Sequence, residues 1–282
     1  TNMPQFNLGL KPPQIEISLQ PNQSYTQAYE ITNNSDQTVL LTTSILPWKP
    51  IDNLGHVQHY EQKALPVNFS LGNSDLRLGE EFILQPHQTR QLVLKINYSQ
   101  PQDNDSYFTF FISQKPLNPD LLQGQNLARI GSNILLNYSN STQESKLKIN
   151  NLQTYPVIKD TFLPVKINGE IQNLGTNFSH LSGKISLIRG NVTLWQKEIY
   201  PYTVLSGHSR LIHCLNPEDN TPKQCLLESP AWPGVYQVKI ESGSESLTQQ
   251  FFVFPYILSI SILLIFSVFY LLLKKQQKVS NS

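Results

Sequence analysis

"PQIEISLQPNQSYTQAYEITNNSDQTVLLTTSI" runs from Pro13 to Ile45. Ile15, Ile17 and Leu19 alternate with polar residues, and Val39, Leu41, Thr43 and Ile45 do the same. A period of two marks β-strands with one buried face. The turn between the first strands, "LQPNQSYTQAY" from Leu19 to Tyr29, has an apolar strand end, a tight corner, a Ser and a new strand. Pro21 presets φ at the first corner. Asn22 falls at the second, where Asn tolerates a positive φ. The device recurs in "LQPHQTRQLVL" (Leu84 to Leu94), with His87 at the corner, and in "VLSGHSRLIHC" (Val204 to Cys214), with Gly207 there.

Working outward, the alternation continues through Leu92, Leu94, Ile96 and Tyr98, through Ile130, Ile134, Leu136 and Tyr138, and through Val165, Ile167 and Ile171. Many short strands separated by turn residues predict an all-β chain of β-sandwiches. A polar joint, "NSTQES", follows the strand ending at Tyr138. The expected layout is an N-terminal segment over 1–12, one sandwich domain over 13–143 and a second over 144–254. The second carries a hairpin turn at "RGN" (Arg189 to Asn191) and a final strand "LTQQFFVF".

After that strand the composition changes. "PYILSISILLIFSVFYLLLKKQQK" (Pro255 to Lys278) holds an uncharged run of about the length a bilayer-spanning helix needs. This predicts a transmembrane helix over 255–273 and a short tail over 274–282. Lys274, Lys275 and Lys278 mark the cytoplasmic flank by the positive-inside rule. The expected location is the plasma membrane, in a single pass, with both domains extracytoplasmic and the C-terminus cytoplasmic. The opening "TNMPQF" is no signal peptide, so a processed or trimmed form is expected, with a signal peptide removed.

The formal net charge is +1, which gives no global pull toward nucleic acid. The only cysteines, Cys214 and Cys225, flank a polar, turn-rich loop in "HCLNPEDNTPKQCLL". A disulfide across a hairpin base fits, and it fits an oxidising compartment; two unpaired thiols are the alternative. Asn22, Asn33, Asn68, Asn97, Asn104, Asn137, Asn140, Asn177 and Asn191 each open an Asn-X-Ser/Thr sequon. In a eukaryote they would make a glycoprotein ectodomain with an adhesion role; in a bacterium they would carry no meaning.

The stretch from Pro13 to Ile45, with "SYFTFFIS" and "RIGSNILLNYS" after it, resembles the N-terminal domain of the bacterial WxL-interacting proteins, and more distantly the Ig-like domains of pilus chaperones. The resemblance implies two tandem Ig-like domains at the cell surface. It implies peptidoglycan or another wall polymer, and another surface protein, as partners. Asn22 stands where the family pattern has a turn Gly.

No catalytic constellation stands out. His56 and His59 in "HVQH", between Asp52 and Glu61, could hold a metal, though such a loop is more often simply solvated. "GHS" at 207–209 lacks the flanking glycines of a nucleophile elbow. Trp48 and Trp232 could stack on a sugar, but such aromatics more often plug a sandwich core. The segment "KPLNPDLLQGQNL" (Lys115 to Leu127) is long for a hairpin loop and carries Leu117, Leu121, Leu122 and Leu127. Long apolar loops often bind partners, so it is a candidate partner-binding loop. The expectation is a non-enzymatic, membrane-anchored binding or scaffold protein, with no cofactor, metal or small-molecule substrate. An extracytoplasmic chaperone or assembly factor acting by strand pairing is the alternative.

Overall fold

The computed structural model describes residues 7–20, 22–62, 64–98, 104–116, 128–138, 146–155, 158–161, 163–227, 230 and 232–280, with side chains in the C-terminal helix as far as Leu271. The described residues are all-β apart from that helix. It divides into two compact units. The first comprises 1–145 together with two short later segments, 175–178 and 205–208; the second comprises 146–174, 179–204 and 209–282.

The first unit contains β1 (Leu8–Lys11), β2 (Gln14–Leu19), β3 (Ser24–Asn33), β4 (Val39–Pro50), β5 (Val57–His59), β6 (Val67–Leu71), β7 (Glu81–Leu84), β8 (Thr89–Tyr98), β9 (Ser106–Lys115) and β10 (Arg129–Tyr138). One sheet has the order β1-β3-β8-β6. The other has the order β2-β10-β9-β4-β5, with β7 also on β4. Alternation sets the core. Leu92, Leu94 and Ile96 of β8 are fully buried, while Gln91, Lys95 and Asn97 on the opposite face are exposed. Burying each such aliphatic side chain stabilises by about 1.5–3 kcal/mol. The two sheets meet where the Tyr29 ring lies 5.0 Å from that of Phe110.

The chain changes sheets at its start. β1 runs antiparallel to β3, whereas β2, two prolines later, runs parallel to β10, with Gln14 opposite Asn133 and Leu19 opposite Tyr138. The expected turn conformations are present: φ is 64° at Asn22, 57° at His87 and 70° at Gly207. The end of β3 is fixed by Asn33, which is fully buried. Its amide donates to the Gln37 and Gln85 carbonyls at 2.7 and 3.0 Å, and its oxygen accepts from the Ser35 N–H at 3.1 Å.

The second unit contains β11 (Leu147–Tyr155), β12 (Ile158–Lys159), β13 (Val165–Asn173), β14 (Ser179–His180), β15 (Lys184–Arg189), β16 (Val192–Glu198), β17 (Thr203–Val204), β18 (Ser209–Leu211), β19 (Cys214–Leu215), β20 (Pro222–Lys223), β21 (Leu226–Leu227), β22 (Gly234–Ser242) and β23 (Glu245–Val253). Its main sheets are β11-β13-β18, with β21 also on β13, and β12-β23-β22-β15-β16. The opening device repeats: β11 is antiparallel to β13, and β12 is parallel to the last strand, β23. Cys214 and Cys225 are bonded, as expected for a hairpin-base bridge, and both are buried in this unit's core. With the bonded residues 11 positions apart, the closed loop is worth about 3 kcal/mol in the chain-entropy model.

The C-terminal helix α1 (Tyr256–Ser280) starts directly after β23. Asp160 caps it by accepting the Ile257 N–H at 2.8 Å. Ser259 and Ser261 donate back to the Pro255 and Ile257 carbonyls at 2.9 and 2.8 Å. Its side chains described as far as Leu271 are mostly exposed and apolar. Among the described residues no helix is long and apolar enough to cross a membrane. That finding corrects the expected transmembrane helix over 255–273. The plasma-membrane location falls with it, and the side chains of Lys274, Lys275 and Lys278 lie outside those described.

Candidate binding site

Two features of the first unit present binding capacity. The first is a strand edge. On the β9 side, the Gln114 N–H donates to the Ala128 carbonyl at 2.9 Å. With Arg129 opposite Ser113, the groups of Ile130 and Ser132 therefore point toward β9, and those of Arg129, Gly131 and Asn133 point away. Asn133 is taken by β2, its N–H donating to the Pro13 carbonyl at 3.0 Å. The register would next give the Gly131 carbonyl to the N–H of residue 13, but proline has none. The chain then departs at Pro12 to join the other sheet. Among the described residues no strand pairs with Arg129 or Gly131 on this side, where their N–H and C=O point away from β9.

Side chains shape this edge. The Arg129 guanidinium lies 3.4 Å above the centroid of the Phe111 ring. A Cβ on Gly131 would stand 2.6 Å from Thr109 Cγ2 and 2.9 Å from Phe111, so only glycine lets those side chains lie across the strand. His59 Nε2 is 2.9 Å from Thr109 Oγ1. Burial, and then the charge of Arg129, hold the His59 imidazolium below its usual range.

The second feature is a cleft of about 530 Å³ at the other end of β9, with walls that include Trp48, Tyr60, Asp105 and Tyr107. Trp48 is 5% exposed; its indole stacks on Tyr107 at 5.0 Å and donates to the Phe108 carbonyl at 2.9 Å. Asp105 Oδ2 accepts from the Phe178 N–H, and from the Tyr107 hydroxyl at 3.4 Å. Tyr107 Oη accepts from the Ser206 N–H at 3.1 Å. With its amide oxygen and nitrogen exchanged, Asn177 also donates to Asp105 Oδ1, at 3.2 Å. All these donors are neutral. Burial therefore dominates and pushes the Asp105 carboxyl up to about 7, although the Phe178 and Tyr107 bonds pull the other way. Burial and the nearby Asp105 push the Tyr107 hydroxyl upward too.

The residues singled out in the sequence fare unevenly. Leu117, Leu121, Leu122 and Leu127 lie outside the described residues. His56 Nδ1 pairs with Asp52 at 2.5 Å while His59 turns to Thr109, so the "HVQH" donors do not converge. Among the described residues no group of three or more His, Cys, Asp or Glu is placed to hold a metal. Trp48 takes the core role expected of it, whereas Trp232 is 69% exposed and plugs nothing. Asp105, Arg129 and Gly131 were not singled out. The signal for the edge was the proline pair in "KPPQ"; Asp105 gave none, because the segments that bury it come more than seventy positions later.

No family model matches the chain, and no curated protein matches it. Among solved structures it is similar to the CsuC–CsuE chaperone–tip adhesion subunit pre-assembly complex from the archaic chaperone-usher Csu pili of Acinetobacter baumannii, at 11% identity and a TM-score of 0.40, over 88% of this chain and 98% of that one. It is similar to the class 5 fimbriae chaperone CfaA at 9% identity and a TM-score of 0.42, over 86% and 98%. The E. coli chaperone DraB follows at 16% identity and a TM-score of 0.38, over 88% and 95%. Likenesses of this size carry no argument about the chain.

Proposed function

We propose that the chain is an assembly factor or chaperone that acts by strand pairing, taking an extended segment of a partner protein onto the open edge of β10. The observation that carries this reading is the pair of outward N–H and C=O groups at Arg129 and Gly131. Backbone groups so spaced are matched by another extended backbone, which is how strand addition gains its affinity. The buried Cys214–Cys225 bridge supports an oxidising compartment as the place of action. A surface protein is the partner class this reading favours; a wall polymer offers no ladder of amides to pair with the edge.

The test uses a photo-crosslinking residue at Ile130 in cells, in three backgrounds: unchanged, Arg129→Ala and Arg129→Pro. Both substitutions remove the stack on Phe111. Only proline removes the outward N–H, and it does so at the first residue of a strand, where proline is tolerated. The expected result is a crosslinked partner with Ala and a loss of about tenfold or more with Pro. Equal capture by both variants refutes strand pairing at this edge.

A further inference from the structure

We propose that the cleft beside Asp105 seats a basic side chain, best an arginine, presented by a partner polypeptide. The cleft lies at the Ser106–Phe108 end of β9, away from the Arg129–Gly131 edge, so this inference stands whether or not that edge takes a strand.

The argument starts from charge. Asp105 is half-buried and held by donors that are all neutral: the Phe178 N–H, the Tyr107 hydroxyl and the Asn177 amide. None of the ion pairs among the described residues involves it. A carboxylate removed from water without a counter-charge is costly, and a cation brought against it relieves that cost. Lys49 and His208 also line the cleft, and Tyr107 and Tyr138 are the titratable groups whose interaction with Asp105 is felt directly. His208 Nδ1 is engaged with the Ser206 carbonyl at 2.6 Å, and Lys49 is exposed.

The walls add selectivity. Trp48 and Tyr107 stack on each other, and Tyr60, 42% exposed, offers an aromatic surface at the rim. A planar guanidinium can lie on such a surface while one N–H reaches a carboxylate, which a compact ammonium does less well. A volume of about 530 Å³ also leaves room for the backbone on either side of the incoming residue.

Binding should be linked to the proton on Asp105. With a carboxyl that titrates at about 7, the ionised, binding-competent form is scarce at pH 5.5 and dominant at pH 8.5, so apparent affinity should rise about 30-fold between them. The experiment titrates the full chain with acetyl-Ala-Arg-Ala-amide and with the same peptide carrying neutral citrulline, following the Trp48 indole N–H by NMR at both pH values. The expected result is a shift with the arginine peptide, the 30-fold pH dependence, and about tenfold weaker binding of the citrulline peptide. In Asp105→Asn the pH dependence disappears and the two peptides become equivalent. Tyr60→Ala, at an exposed wall position, weakens the arginine peptide and keeps the pH profile. Equal binding of both peptides to the unchanged chain overturns the proposal, as does undiminished arginine binding by either variant.

Discussion

Replacing Asp105 with Asn is expected to stabilise the first unit at pH 8 and to leave it unchanged near pH 4. The folded unit holds this carboxyl proton up to about pH 7, against an ordinary value of 3.8. Between those values the folded state binds more protons than the unfolded chain. Stability therefore falls as pH rises through that window and is level above it. At 1.36 kcal/mol per pH unit the window is worth about 4 kcal/mol, an upper bound for a half-buried group in an open cleft. Allowing for water in the cleft, the gain for Asp105→Asn at pH 8 should be about 2 kcal/mol. Asn preserves an acceptor for the Phe178 N–H, so packing is retained. The assay is urea unfolding between pH 4 and 8.5 in a Trp195→Phe, Trp232→Phe background. Trp48 is then the sole indole, a buried reporter inside the unit that holds Asp105. Curves for Asp and Asn that stay parallel across the range would refute the reasoning, because the proton would then be held equally in both states.

Lys159→Met should stabilise the second unit by about 1–3 kcal/mol at pH 7, because the Lys159 ammonium is buried with no hydrogen-bond partner among the described residues. Its amine is pulled down to about 8 by burial, so the unchanged protein should gain stability as pH rises from 8 to 10.5 and the variant should not; thermal melts across that range decide it. Asn33→Ala removes a side chain that satisfies two carbonyls and an N–H in a buried turn, and denaturant unfolding should show a loss of about 2 kcal/mol or more. Cys214→Ser combined with Cys225→Ser should cost the second unit about 3 kcal/mol, and a reductant should then have no additional effect on its unfolding midpoint.

How much of this was legible in the sequence depends on the distance over which each cause acts. Alternation such as Leu92, Leu94 and Ile96 is local, and it placed the strands and their buried faces. The corner residues Asn22, His87 and Gly207 were legible for the same reason, since a positive φ selects its residue on the spot. The 256–273 run illustrates the reverse: apolar composition invited a span that the described part of the helix does not supply. Trp232 misled because exposure at a strand entrance is decided by neighbours, not by residue type. The Asp105 cleft was invisible because "QDNDSYF" reads as an ordinary polar loop until residues 175–178 and 205–208 join the same unit. The open edge lay between these extremes: Pro12 and Pro13 were in plain view, but their effect needs the register of β2 against β10.

The parallel pairing of each unit's opening segment with its last strand also sets a timetable for synthesis. Gln14 cannot meet Asn133 until 119 more residues (133 − 14) have been added, which takes about 6–24 s at ribosomal rates of about 5–20 residues per second. Ile158 waits in the same way for Phe252. Through that interval Ile15, Ile17 and Leu19 have no sheet to join, and they leave the ribosome as bare apolar chain. Each unit is thus closed by the last of its strands to be made, so a nascent chain halted before β10 or β23 is one whose first segment still needs shelter.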